Sequence, residues 1–317
     1  MSAPTEPTGA SAPADPAGAS ASLGVIGVVG AGTMGVGVAQ CAAEAGHRVV
    51  VVDSSAAALD SAPDRLRAGI RLRRLMAGAA PPREADAPAR VRWTDRLAEL
   101  ADARFVIECA RERIVVKEEV FRGLDGVCGP DTILASCTSA IPVARLAAVT
   151  DRADRVIGTH FMNPAPLKAA VEVIRGPLTS ERTVRSTEHL LASLGKRGIV
   201  VNDGPGFVSN RVLMATVNDA AAVVQAGTAD ARSVDEIFQE CFGHSMGPLR
   251  TADLIGLDTV VDSLHVLREC TGDPRFVPCA LLVSLTAAGH VGRKSGRGFH
   301  VYAPKPPARP SGFFAAR

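Results

Sequence analysis

Short apolar runs and stretches of helical periodicity alternate along the first two-thirds of the chain. Val25–Val29 is a compact apolar run that ends in glycines. Met34–Ala45 then carries small and apolar residues at helical spacing and stops at Gly46. Arg48–Val52 is β-branched and ends at Asp53. Phe105–Cys109, Ile133–Ser136, Val156–Phe161 and Val171–Ile174 read as buried strands, and a helix from Glu181 to Leu194 leads to Ile199–Val201. This alternation predicts an α/β fold, a Rossmann-type doubly wound and mostly parallel sheet with helices on both faces. From Asp203 onward the strand pattern stops. Phe207–Gln225 is a long helical pattern, Ser233-Val-Asp-Glu236 reads as a capping box opening a helix that closes near Gly243, and Thr251–Cys270 and Ala280–Ala288 continue the helices. The expected organisation is a disordered tail over 1–22, an α/β domain over 23–202, an all-helical domain over 203–302 and a tail over 303–317.

Composition narrows the function classes. The first 22 residues are almost all Ala, Pro, Ser, Thr and Gly, which cannot bury enough apolar surface to offset ordering entropy. They contain no Lys or Arg and no apolar core, unlike a signal peptide. Thirty-five basic against 33 acidic side chains give a net charge of +2, and aromatics are 4%, so neither a basic field nor a stacking platform for nucleic acid is present. The seven cysteines are widely spaced without a C-x-x-C, which reads as reduced thiols in a cytoplasmic protein and not as a zinc site. No run approaches the ~18 uncharged apolar residues of a membrane span.

Gly30-Ala-Gly32-Thr33-Met34-Gly35 follows the first strand and opens the first helix. A G-x-G-x-x-G alone is weak evidence in a chain with 30 glycines. Here a second strand ends in Asp53, 18 residues past Gly35, which completes the dinucleotide fingerprint. Gly30 permits the tight turn, Gly32 lets a pyrophosphate approach the backbone, and Gly35 lets helix and strand pack, with the helix N-terminus favouring the anion. The Asp53 carboxylate accepts hydrogen bonds from ribose hydroxyls and repels a 2′-phosphate. Ser54, Ser55 and Ala56 supply no Arg, so the expected cofactor is NAD.

His160 stands at the C-terminal end of a strand, where open α/β sheets bind their ligands. A lone histidine there is often structural, so it is a candidate only. Glu172 follows twelve residues later on a second extended run, after the break at Asn163-Pro164. If the chain reverses at the prolines, the carboxylate returns beside the imidazole and makes it a general base.

Six stretches, GVVGAGTMGVGVAQCAAEAGHRVVVVD, VIECARERIVVKEEVF, HFMNPAPLKAAVEVIRG, DGPGFVSNRVL, MGPLRTADLIGLDT and GRKSGRGFHVY, occur in the order found in the 3-hydroxyacyl-CoA dehydrogenase family, and the chain resembles that family over residues 24–302. The resemblance implies an NAD domain followed by a helical dimerisation domain, and hence a homodimer. It implies His160 as catalytic base with Glu172 as its partner. It further implies Ser139 and Asn210 as substrate contacts, Asn163 in the HFxNP turn, and Glu112, Lys117 and Lys294 near the cofactor; for these last three an exposed surface charge is the alternative. No metal is implied.

Three features depart from that family. Cys137 replaces an Asn before Thr138-Ser139. Arg65–Ala80 has neither the Ser nor the Lys that normally meets the CoA nucleotide. Arg65–Arg92 instead holds eight arginines against Glu84 and Asp86, with Arg67, Arg71 and Arg74 on one helical face; the plain alternative is a solvated basic face. HFMNPAPLK, SCTSAIP and TGDPRFVPC resemble a branch that oxidises a glyceryl group on an acyl carrier protein in polyketide extender-unit biosynthesis. The expectation is an NAD-dependent dehydrogenase oxidising the 3-hydroxyl of a thioester-bound acyl group on such a carrier, with a general 3-hydroxyacyl-CoA or 3-hydroxybutyryl-CoA dehydrogenase as the alternative.

Overall fold

A computed structural model describes residues 24–77 and 87–302. The two expected tails lie outside these residues, as do Arg83, Glu84 and Asp86 of the arginine-rich stretch.

Eight strands form one sheet in the order β3-β2-β1-β4-β5-β6-β7-β8. They are β1 (Val25–Val29), β2 (Arg48–Val52), β3 (Val91–Thr94), β4 (Ala103–Glu108), β5 (Ile133–Ser136), β6 (Val156–His160), β7 (Ala170–Arg175) and β8 (Arg197–Asn202). Neighbours pair in parallel except β6 and β7, which pair antiparallel. Only nine residues join β6 to β7, too few for a crossover helix, so the chain folds straight back. Helices α1 (Thr33–Glu44), α2 (Ala56–Ala77) and α5 (Glu181–Ser193) share one core with Ile26, Val28, Val51, Ile107, Ala135, Ile157 and Val173. Helices α3 (Ile114–Val127) and α4 (Val143–Ala147) cover the opposite face through Val106, Leu134, Val156 and Ile174. Alternate positions of each strand thus feed opposite cores, as the period of two requires.

After β8 the chain turns helical. Helices α6 (Ser209–Gln225), α7 (Ala231–Glu240), α8 (Pro248–Ile255), α9 (Leu257–Thr271) and α10 (Ala280–Ala287) enclose a third core around Met214, Val217, Leu249, Val260, Leu264, Phe276 and Leu282. Two helix boundaries differ from the sequence reading. The N-cap of α7 is Asp230, whose carboxylate accepts from the Ser233 amide at 2.7 Å, so Ser233 sits inside the first turn instead of capping it. The run Thr251–Cys270 is two helices, because Gly256 adopts φ +107° and ends α8. Strand β3 and helices α3 and α4 are not separately anticipated by the sequence pattern. Among the described residues no helix is long and apolar enough to cross a membrane.

Candidate active site

The glycine loop lies where β1 meets α1. Gly30 has φ +105°, and a Cβ there would strike the Cys109 carbonyl. A Cβ on Gly35 would collide with the Gly30 carbonyl oxygen, so glycine is needed for helix and strand to touch. Gly32 faces open space and no side chain caps the α1 N-terminus, which leaves the amides around Thr33 and Met34 available to an anion. Asp53 is held by the Ala31 amide at 2.6 Å and the Ser55 amide at 2.8 Å. These residues fit a dinucleotide. Arg65, reaching over from α2, donates to the Ala31 carbonyl at 2.6 Å. A search for cations just after Asp53 misses it, because its approach depends on the packing of α2.

The antiparallel register of β6 and β7 sets His160 directly opposite Glu172. Both are buried, and Nδ1 lies 3.0 Å from Oε2. Glu172 Oε1 accepts from the Val208 and Ser209 amides at 2.8 and 3.1 Å, and Oε2 accepts from the Ser209 hydroxyl at 2.6 Å. Burial pushes this carboxyl up, but hydrogen bonds from His160, Ser209 and Val208 outweigh it and hold the group down at about 2, so it is an anion at neutral pH. With Nδ1 turned to the carboxylate, Nε2 faces the Ser139 hydroxyl at 3.1 Å. The Phe207 ring packs 5.9 Å away, centroid to centroid.

Ser139 is fixed at both ends of its peptide. Its amide donates to Glu112 Oε1 at 2.8 Å, and its carbonyl accepts from Asn210 Nδ2 at 2.7 Å. Glu112 also accepts from the Thr138 hydroxyl and the Ala140 amide, so it shapes the whole loop after β5. Lys117 is 1% exposed and is no surface charge. Its ammonium meets Glu108 at 2.8 and 3.0 Å and Glu112 at 3.3 Å. Glu108, 0% exposed, further accepts from the Ala110 amide and the Ser136 hydroxyl, both at 2.6 Å. Sequence reasoning missed Glu108, Ser136 and Ser209. The one available signal for Glu108 was a carboxylate inside an otherwise apolar strand.

Asn163 precedes Pro164 through a cis peptide in the β6–β7 turn. With Thr33, Gly37, Arg65, Leu72 and Ala165 it lines a cavity of about 250 Å³ between α1, α2 and that turn. Lys294 stands apart on the helical domain, paired with Asp258 at 2.6 Å. Cys137 is buried at the end of β5. On α2, Arg67 pairs with Asp64 at 2.7 Å and Arg73 with Glu44 at 2.6 Å, while Leu72, Leu75 and Met76 are exposed. Among the described residues no group of three or more side chains is placed to ligate a metal.

Comparison with known proteins agrees in extent with this architecture. Residues 25–204 match the family model described as 3-hydroxyacyl-CoA dehydrogenase, NAD binding domain, and residues 206–302 match its C-terminal domain. The chain is 44% identical over 279 residues to a probable 3-hydroxybutyryl-CoA dehydrogenase of Bacillus subtilis, covering 88% of this chain and 97% of that protein. It is 34% identical to the mitochondrial hydroxyacyl-coenzyme A dehydrogenase of Sus scrofa, covering 87% of this chain and 90% of the other. Among solved structures, the (S)-3-hydroxybutyryl-CoA dehydrogenase PaaH1 from Ralstonia eutropha superposes with a TM-score of 0.84 at 41% identity, over 89% of this chain and 100% of that one.

Proposed function

Because the chain belongs to the 3-hydroxyacyl-CoA dehydrogenase family, an NAD-dependent group of oxidoreductases, we propose that it interconverts 3-hydroxyacyl-CoA and 3-oxoacyl-CoA thioesters, with short acyl groups such as 3-hydroxybutyryl as substrates. The observation that carries this reading is the buried His160–Glu172 pair with Nε2 turned outward to Ser139. A substrate hydroxyl brought to Nε2 beside Ser139 gives its proton to the ring, and the Glu172 anion stabilises the imidazolium that results. The glycine loop and Asp53 would hold NAD, which would supply the acceptor for the hydride leaving C3. Asn210 and Ser139, already tied to each other, are the candidate contacts for the substrate's C3 oxygen and thioester carbonyl, so the C3 carbonyl would develop beside oriented polar groups.

CoA is preferred here to a protein carrier as the thioester's bearer. Relatives are named for CoA substrates. On the arginine face expected to dock an acidic carrier, Arg67 already pairs with Asp64 of its own helix at 2.7 Å. The test is NADH consumption with acetoacetyl-CoA against the same acyl group on an acyl carrier protein, at low and high salt. Equal or better turnover of the CoA ester supports the reading. A large carrier preference that shrinks with salt would favour the glyceryl-carrier alternative.

A further inference from the structure

Ser209 stands beside the dyad, and neither the sequence motifs nor the family comparison gives it a role. It opens α6, on the helical domain, while His160 and Glu172 belong to the sheet. Its hydroxyl donates to Glu172 Oε2 at 2.6 Å and lies 3.2 Å from His160 Nδ1, while its own amide donates to Glu172 Oε1. The three side chains close a ring. The Nδ1–H is shared between Oε2 and the serine oxygen, and the serine proton goes to the same Oε2 that receives the imidazole. The ring of His160 faces Glu172 from β7, the Ser139 hydroxyl from the loop after β5, and Phe207 and Ser209 from the start of α6; Glu172 is the single charge among these contacts.

We infer that Ser209 is a positioning residue that sets the basicity of the catalytic pair, an inference that rests on the dehydrogenase reading above. A hydroxyl donating to Oε2 withdraws charge from the carboxylate oxygen that backs the imidazole. The imidazolium that forms on proton transfer is then less favoured than it would be against a carboxylate without that donor. The same bond ties the helical domain to the base, so docking of α6 on the sheet completes the base itself. Removing Glu172 and removing Ser209 therefore act in opposite directions on the pH at which the base becomes active.

The experiment compares wild type, Ser209→Ala and Ser209→Thr. The first readout is the pH dependence of kcat/KM with a 3-hydroxybutyryl-CoA substrate. The second is the pH titration of the His160 ring ¹⁵N resonances, assigned by their loss in His160→Gln, which needs no turnover. In Ser209→Ala the acid limb and the ring titration should both move up by about 0.5–1 pH unit. KM should stay within about twofold while kcat below neutral pH falls severalfold, and Ser209→Thr should restore the wild-type curve. An unshifted ring titration in a folded, NAD-binding Ser209→Ala protein overturns the inference, as does a fall in rate that is equal at every pH. If wild type turns over no 3-hydroxyacyl-CoA, the functional reading fails, and the ¹⁵N titration still decides the role of Ser209.

Discussion

Lys117 and Glu108 form a closed ion pair under the loop that carries Ser139, and its removal can be worked through from the contacts. Substituting Lys117→Met takes away both bonds to Glu108 and the 3.3 Å contact to Glu112. Glu108 keeps two donors, the Ala110 amide and the Ser136 hydroxyl, so its charge is not fully orphaned. Breaking a buried pair costs about 3–5 kcal/mol, and the surviving donors place this one near the lower end, about 3 kcal/mol. At about 2–4 °C per kcal/mol for a chain of this order of size, Tm should fall by roughly 6–12 °C. Glu108→Gln should cost a similar amount, because the buried ammonium keeps only Glu112 and the Ala110 carbonyl. The double variant Glu108→Gln/Lys117→Met leaves no buried charge and should recover about 1–3 kcal/mol of the summed loss. Burial disfavours the Lys117 charge, yet Glu108 and Glu112 outweigh it and raise the ammonium above its ordinary range. The pair's contribution is therefore complete below the ordinary lysine value and is lost only as pH climbs through the higher folded one. Thermal unfolding of the four proteins is the assay. Single variants that melt within about 2 °C of wild type, or losses that simply add, would refute the coupling.

The remaining expectations concern the site and the assembly. His160→Ala should lower kcat by at least ~100-fold in steady-state NADH assays, and Glu172→Gln should move the acid limb of the pH–rate profile downward, because the imidazolium loses its counter-charge. Asp53→Ala should weaken NAD and narrow the gap to NADP in titrations; tighter binding of NADP than NAD by wild type would contradict the assignment. Glu172 is held at about 2, below its ordinary value, so the stability it contributes is present in full above the unfolded carboxylate range and drains away as pH falls toward 2, an acid transition that Glu172→Gln should flatten. The helical domain exposes Val208, Val212, Phe242 and Leu254, and light scattering at micromolar concentration should report a homodimer.

Local pattern carried much of this fold. Seven strands were legible because buried strands of an α/β sheet are continuous apolar runs. The juxtaposition of His160 and Glu172 was legible too, since a proline break between two runs leaves a short reversal as the simple solution. What escaped depends on partners distant in the chain. Strand β3 is four residues with Arg92 and Thr94 among them, and only its pairing with β2 makes it a strand. Gly256 looks like any glycine in a helical pattern until its positive φ divides α8 from α9. Ser233 has the spacing of a cap, but Asp230 three residues earlier takes that place. Lys117 reads as a charge near the cofactor or, alternatively, at the surface, and its burial against Glu108 shows only when β4 and α3 pack together.

Two recurring stretches of the helical domain do a different job from those of the sheet and from DGPGFVSNRVL, and this bears on what a resemblance can imply. MGPLRTADLIGLDT and GRKSGRGFHVY meet on a pair of buried aspartates, Asp253 of the first stretch and Asp235 of α7. Asp253 accepts from the Phe299 and His300 amides and the Tyr302 hydroxyl, each at 2.9 Å. Asp235 on α7 accepts from the Leu249 and Arg250 amides at 2.8 and 3.0 Å and meets His300 Nε2 at 2.7 Å. His300 thus links both carboxylates and staples the end of the described chain to α7 and α8. A Cβ on Gly292 or Gly298 would run into Asp253, and one on Gly247 into Asp235, so these glycines are demanded by the staple. Burial, then the Asp253 carboxylate, pushes the Tyr302 phenol well above its usual range, which keeps it a neutral donor. Matching these two stretches is therefore evidence for a fastened fold. Evidence for chemistry has to come from the remaining stretches, where Gly32 faces open space, His160 meets Glu172, Asn210 holds the Ser139 carbonyl, and the residues that differ from the pattern lie along α2 and at Cys137.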